Sequence, residues 1–281
     1  MAMVTGRRNS ALRMLLVGAG IVLLLAWSLL PIYWIGVTSL KPEREIYALP
    51  PTLVPAAPTL AHYATVLFKT RFPQFVRNSF IVALLATIAS VTIGTLAAYA
   101  LTRIRFAGRS LVARGIVAAY LLPPALLFIP LFIVLQRLGM IDSLAGLVLA
   151  YLTFTVPFST WMLIGYIRTI PTELDEAACI DGAGRLQTLV RVLIPVAAPG
   201  IAIVALFAFT QAWNEFLYAL IYVYSDAART LTSGLVGMMM GDVFIWGQLM
   251  AASMVAVAPV LAIYVVAQRY LVEGLASGSV K

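Results

Sequence analysis

Charge is scarce in this chain. Only 11% of its 281 residues are Asp, Glu, Lys or Arg, against about 25% in an ordinary soluble domain. It has one histidine, His62, and one cysteine, Cys179. A two-histidine zinc motif, a disulfide within the chain and a paired-cysteine metal site are therefore excluded. The lysines at 41, 69 and 281 follow Leu40, Phe68 and Val280, so the Gly-Lys-Ser/Thr end of a phosphate-binding loop is missing and the chain does not bind ATP in that way. No Gly-x-Ser-x-Gly elbow occurs, and Cys179, set among alanines, reads as a small packing residue before it reads as a nucleophile. The inventory offers no catalytic residues and no metal ligands.

Apolar residues fill the space that charge leaves. They make up 62% of the chain, and the mean hydropathy is +0.99. A helix that crosses a bilayer needs about 20 mostly apolar residues, because each backbone amide must be satisfied within its own segment. Six stretches qualify: Met14–Val37, Asn78–Leu101, Gly115–Leu135, Leu144–Ile167, Val196–Val223 and Leu249–Tyr270. The fold class is all-α, a polytopic membrane protein with six transmembrane helices and both termini on one side. Residues 1–13 form the N-terminus, 14–271 the membrane domain and 272–281 the tail. Outer loops cover 38–77 and 224–248, and one long inner loop covers 168–195.

Lysine and arginine orient the array, since cytoplasmic loops carry the excess of positive charge. Twelve basic residues, among them Arg7, Arg8, Arg13, Arg103, Arg105, Arg109, Arg168 and Arg185, fall on the side of the termini. Seven lie opposite, and five of those sit in the single loop 38–77. The termini and the 168–195 loop are expected in the cytoplasm. The first apolar run, Leu15–Val37, is too long for a cleavable signal, which has about 7–15 apolar residues, so it reads as an uncleaved span. Arg7-Arg8 reads as anchoring charge rather than a twin-arginine signal.

The inner loop departs most from the rest of the chain. Thr172 with Asp175 three residues on suggests a capping box, and Glu173, Asp175 and Glu176 suit the positive end of a helix dipole. A short helix is expected from Thr172 to about Asp181, with Ala177 and Ala178 leaving its backbone open to close approach, and Gly182 and Gly184 ending it. From Arg185, Leu186, Leu189, Val190, Leu193 and Ile194 make an apolar stripe that predicts a second helix lying on the membrane domain. Pro195 and Pro199 then restart the chain as the fifth span. On these grounds alone the unit is either a partner-docking element or a hairpin tidying a long loop.

The run Glu176-Ala-Ala-x-x-Asp-Gly-Ala, followed by Val192 and Ile194-Pro195, resembles the EAA loop of binding-protein-dependent ABC importer permeases. Ser39-Leu-Lys-Pro, Asn78-Ser79, Ala98-Tyr-Ala-Leu101, Trp213-Asn-Glu-Phe216 and Gln268-Arg-Tyr resemble the maltose-type sugar permeases, from about residue 30 to the C-terminus. Val192 and Ile194 stand where that family usually has Ile and Leu. The resemblance implies an inner-membrane subunit of a bacterial or archaeal importer, carrying a sugar or oligosaccharide or another polar solute such as a glycerol phosphate or peptide. It implies partners: a second permease subunit, two cytoplasmic ATPase subunits that bind ATP and Mg, and an extracytoplasmic solute-binding protein. No cofactor is then expected in this chain. The loop becomes a coupling helix seated on an ATPase, with Glu176, Ala177, Ala178, Asp181, Gly182 and Pro195 as its coupling residues. The segment 273–281 is a further candidate for ATPase contact.

The solute path is sought in the fifth span. Thr210, Gln211, Asn214, Glu215 and Tyr218 fall on one stripe of an otherwise apolar helix, with Trp213 beside it. A carboxylate in the bilayer centre costs of order 2.5–3.5 kcal/mol, so Glu215 should face a partner or a wet cavity. Lining of a path and hydrogen-bonded packing between helices both fit this stripe. An intramembrane enzyme using Glu215 with Asn214 is the reading from a different class. Pro123, Pro124, Pro130 and Pro157 predict kinked helices. The proline-rich loop 38–77 is expected as a semi-rigid cap with little helix, and the segment Gly234–Gly247 as an apolar connector at the outer interface. Both are candidate surfaces for the binding protein.

Overall fold

The computed structural model describes residues 5–239 and 245–278. These residues form helices, in chain order α1 (Thr5–Ser39), α2 (Glu43–Ile46), α3 (Ala61–Phe68), α4 (Phe72–Arg103), α5 (Arg109–Leu121), α6 (Pro124–Arg137) and α7 (Leu144–Ile167). There follow α8 (Glu173–Ile180), α9 (Arg185–Thr188), a π turn over Leu189–Leu193, α10 (Ile194–Trp213), α11 (Leu217–Tyr222), α12 (Leu231–Gly237) and α13 (Trp246–Gly278). No strand occurs among the described residues. Residues 240–244 of the expected outer connector lie outside them. Among the described residues, five helices are long and apolar enough to cross a membrane, and α5 with α6 makes a sixth if the pair counts as one span.

Two of the expected spans are not single helices. The third is broken at Leu122-Pro123, where α5 and α6 meet at 100°. Pro123 and Pro124 offer no N–H, and Leu122, ahead of a proline, is pushed into extended backbone at φ −69°, ψ 124°. The fifth is broken between Trp213 and Leu217, so residues 210–218 do not share one helical face. Its start differs too. Arg185–Trp213 runs as one apolar span with no restart at Pro195. Pro195 cannot donate to the carbonyl four residues back, and the helix widens just before it into the π turn, where the Ile194 amide bonds to Leu189 O.

The chain falls into two compact units. One comprises 1–70 and 238–255. Within it the 13–39 span has no buried residue in its most apolar stretch. The outer loop is more structured than expected, with α2 and α3 inside it. Lys41 is buried at 2% exposure, with its ammonium 4.8 Å over the Trp34 ring and donating to Thr52 O. His62 Nε2 meets Lys41 O at 2.8 Å, so the lone histidine holds the loop. Glu45 accepts from the Thr52 hydroxyl at 2.6 Å and from the Ala56 amide; these bonds hold its carboxyl below the usual range.

The other unit comprises 71–237 and 256–281. Its centre is the pairing of α4 with α7, against which α10 packs. Ala83, Ala86, Ser90, Gly94 and Ala98 recur every three or four residues along α4 and are all buried. Between membrane helices, where hydrophobic transfer gives little drive, such small residues let backbones approach and gain dispersion contact. A Cβ on Gly94 would lie 2.9 Å from Ser159 Cβ and 3.1 Å from the Thr160 amide nitrogen. Asn78 and Ser79 bind the outer loop after α11: Asn78 Nδ2 donates to Ala227 O and Arg229 O, each at 2.9 Å, and Leu231 N donates to Ser79 Oγ at 2.8 Å.

Asp142 ties the turn before α7 to the same loop. Its Oδ1 accepts from the amides of Tyr224 (3.1 Å) and Ser225 (3.0 Å) and from the Ser225 hydroxyl (2.9 Å). Burial alone would raise this carboxyl, but the Ser225 and Tyr224 donors outweigh it and hold it below its ordinary 3.8. The contribution to stability is therefore fully present above that value and is lost as pH falls through the lower folded value. Asp142→Ala is expected to cost roughly 1–2 kcal/mol at neutral pH. Thermal unfolding in detergent should show this difference, and it should shrink below about pH 4.

Candidate functional site

The 168–195 loop is built from its two ends. Thr172 has helical backbone, φ −72° and ψ −20°, and caps nothing with its side chain, so the expected capping box does not form. Asp175 is engaged elsewhere: its Oδ2 lies 2.8 Å from Arg103 Nε. The other end closes as a Schellman motif, with Gly182 N bonding to Cys179 O and Ala183 N to Ala178 O. Gly182 sits at φ +82°, which a side chain would strain. Gln187 Oε1 then accepts from Gly184 N at 3.0 Å as the chain enters α9.

The two alanines are not equivalent. Ala178 is buried at 8% exposure, while Glu176, Ala177, Asp181 and Gly182 are exposed. Small size at Ala178 serves packing within the chain, and only Ala177 leaves the outer surface open. Glu176, Ala177, Ile180 and Asp181, spaced i, i+1, i+4 and i+5, share the outer face of α8. Ile180 is 88% exposed and Leu186 68%. Sequence reasoning passed over Ile180, although its spacing of four from Glu176 places both on one face. Of the stripe expected against the membrane domain, Leu189 and Leu193 are buried, whereas Leu186 and Val190 are exposed, and Thr188 is buried beside them. Pro195 is exposed and lies beyond the loop, in the first turn of α10.

The path candidates separate in the same way. Trp213 and Tyr218 are buried in the protein interior, at 3% and 0% exposure. Trp213 stacks on Phe209, and the Tyr218 hydroxyl donates to Pro124 O at 2.9 Å. Thr210 is half-buried and donates to Leu206 O at 2.8 Å. Gln211 and Glu215 are half-buried, and Asn214 is exposed at the C-cap of α10. Glu215 lies in the break between helices, where Oε1 accepts from Tyr218 N at 2.8 Å and Oε2 from Ala219 N at 3.2 Å. It caps α11 as Asp or Asn caps a helix, from one residue further out. Glu215→Leu is expected to destabilise the chain by about 2 kcal/mol, the cost of stranding buried amides. Glu215→Gln, which keeps an acceptor, should lose less than half of that; thermal unfolding in detergent checks both.

A wide groove on this unit, about 520 Å³ between α4, α10 and α13, is lined by Phe80, Leu84, Leu206, Phe209 and Val266. It presents almost no polar atom and suits lipid better than a polar solute. A smaller cleft, where Thr102, Arg103, Arg105 and Arg109 face Thr172, Asp175 and Glu176, is strongly polar and adjoins the start of α8. No group of three potential metal ligands occurs among the described residues.

An all-helical membrane chain with a polar helical loop set between its fourth and fifth spans has the architecture of an ABC importer transmembrane subunit. Its fold matches the crystal structure of a bacterial ABC transporter involved in the import of the acidic polysaccharide alginate, with a TM-score of 0.75 at 21% identity, over 96% of this chain and 99% of that one. Residues 90–277 match the family of binding-protein-dependent transport system inner membrane components, and the chain belongs to that family. It is 38% identical to the sulfoquinovosyl glycerol transport system permease protein SmoH of Agrobacterium fabrum, over 92% of this chain and 91% of that protein. It is 35% identical to the trehalose/maltose transport system permease protein MalG of Thermococcus litoralis, over 98% and 99% respectively. The chain is thus a non-catalytic, multi-pass permease subunit of an ABC importer, and ATP hydrolysis belongs to partner subunits. The reading of Glu215 and Asn214 as an intramembrane enzyme is set aside.

Proposed function

We propose that the chain forms half of the translocation pathway of an importer for a sugar or oligosaccharide, and that α8 is the element on which a partner ATPase pulls. The observation that carries this reading is the outer face of α8. An acidic residue, an alanine and an aliphatic side chain stand exposed on a helix whose other face is fixed to its own chain by Ala178 and the Asp175–Arg103 pair. Apolar contact at Ile180 and Leu186 supplies affinity, and Glu176 and Asp181 supply orientation. Gly182 allows the turn that presents them.

The sugar assignment draws on the relatives, whose names speak of sulfoquinovosyl glycerol and of trehalose and maltose. The remaining partners follow from the same reading: a second permease subunit, a second ATPase and an extracytoplasmic binding protein, with ATP and Mg held by the ATPases. The termini and α8 then face the cytoplasm, as the arginine distribution favours. Thr210, Gln211, Asn214 and Glu215 are the path candidates with surface to offer a solute, and Trp213 and Tyr218 are buried in the protein. The test is ATP hydrolysis by the co-purified complex in proteoliposomes with its binding protein, across trehalose, maltose, glycerol 3-phosphate and a tripeptide. Stimulation by a sugar supports the assignment. Stimulation by the phosphate or peptide alone replaces it with the other solute class.

A further inference from the structure

α8 packs on α9 and the π turn that follow it, and two polar side chains of α4, far from it in sequence, also reach the loop. Arg103, in the last turn of α4, has a side chain only 9% exposed, and its Nε lies 2.8 Å from Asp175 Oδ2 in the first turn of α8. The same guanidinium donates through Nη2 to Ile167 O at 3.3 Å, at the C-terminal end of α7, and to Ile170 O at 2.6 Å, in the turn that follows it. One turn earlier on α4, the Tyr99 hydroxyl donates to Arg185 O at 3.2 Å, at the start of α9. Residues four apart share a helix face. A single face of α4 therefore grips the loop at two points, within the first turn of α8 at Asp175 and after α8 at Arg185.

We propose that Tyr99 and Arg103 form a two-point clamp that passes displacement of α8 into α4, with Arg103 as a positioning residue for coupling. This rests on the reading of α8 as the ATPase-docking helix. Covalently, motion of α8 enters the bundle through residues 168–172 into α7 and through α9 and the π turn into α10. The clamp adds a third route, into α4, which packs on both α7 and α10. A largely buried ion pair adds little net stability over an apolar pair of the same size, but it fixes register. Register is what a lever needs. Arginine suits this position, because one group donates to two carbonyls while its charge pairs with a carboxylate.

The experiment uses the assembled complex in proteoliposomes, with an environment-sensitive dye at Leu96→Cys on α4 or at Phe207→Cys on α10, each in a Cys179→Ser background. Both positions have exposed side chains. A non-hydrolysable ATP analogue drives the change. In a parallel sample the native Cys179, exposed on α8, is crosslinked to a cysteine placed on the ATPase. Arg103→Ala is expected to cut the response at position 96 by about tenfold, within the usual range for coupling between sites. The response at 207 and the crosslink should persist. Asp175→Asn and Tyr99→Phe, milder changes, should act in the same direction, and the exchange of Arg103→Asp with Asp175→Arg should restore part of the loss. An undiminished response at 96 in all the single variants, with the crosslink intact, overturns the clamp and leaves docking standing. Absence of the crosslink and of both responses in the unsubstituted complex overturns the docking reading, and the clamp with it.

Discussion

Ala177→Trp and Ile180→Glu are expected to remove ATP-driven transport while leaving this chain folded, whereas Ala178→Trp is expected to damage the chain itself. The difference follows from burial. Ala177 is exposed and Ile180 is 88% exposed, so a bulky or charged replacement meets nothing of its own subunit. Against a docked ATPase it meets a closed interface. Loss of a central aliphatic anchor costs roughly 2 kcal/mol or more, about 30-fold in affinity. Insertion of a charge there adds desolvation to that loss. Ala178 packs inward, and an indole at that position has to push α8 away from its neighbours. Co-purification of the ATPase and thermal unfolding of the isolated permease, measured on all three variants, separate the effects. The first two should lose the partner and keep their melting behaviour, and the third should lose both.

Gly94→Leu is expected to be among the most damaging single changes in the chain. Glycine within a helix is ordinarily a weakness of about 1 kcal/mol against alanine, so on propensity alone substitution there would stabilise. Packing reverses the sign. The nearest atoms to a Cβ at 94 include the backbone of Ser159 and Thr160, and backbone cannot swing aside as a side-chain tip can. Overpacking commonly costs about 1–3 kcal/mol, and here it separates the two helices at the centre of the unit. We expect a loss of about 3 kcal/mol or more, seen as aggregation in detergent and failure to assemble. Gly115→Leu on α5 is the control: nothing lies within 4 Å of a Cβ there, and folding should be retained.

The membrane class was legible from composition, and α7 occupies the residues that hydropathy assigned to the fourth span. The C-terminal end of α8 was legible too, because Gly182 and Gly184 act through local backbone geometry, whereas the capping box expected at its start does not form. Three things were not. The break after Trp213 escaped because the stripe Thr210–Tyr218 was counted on an unbroken helix, and residues 214–216 leave that geometry where Glu215 turns to cap the next helix. The inward orientation of Ala178 escaped because its motif places two identical residues side by side, and only tertiary packing tells them apart. The partner of Asp175 escaped because Arg103 lies at the end of another span, where charge counting had assigned it a purely topological role. Asn78 and Ser79 were noted only for their resemblance, and the structure gives them a physical task in holding the outer loop.

The π turn at Leu189–Leu193 acts as an angular gauge. Such a turn is in effect one residue added to an α-helix, and each residue of an α-helix advances the chain by about 100° around its axis. The extra residue is taken up within the turn, so removal of one residue there would let the helix close as a regular α-helix with α9 and α10 keeping nearly the same angle. Removal of one residue from the regular helix after Pro195 would shorten the span by about 1.5 Å and swing α9, and α8 with it, by that full step of about 100° relative to the rest of α10. The direction in which Ile180 faces depends on where along the span a residue is lost, and the π turn is the place that absorbs the loss.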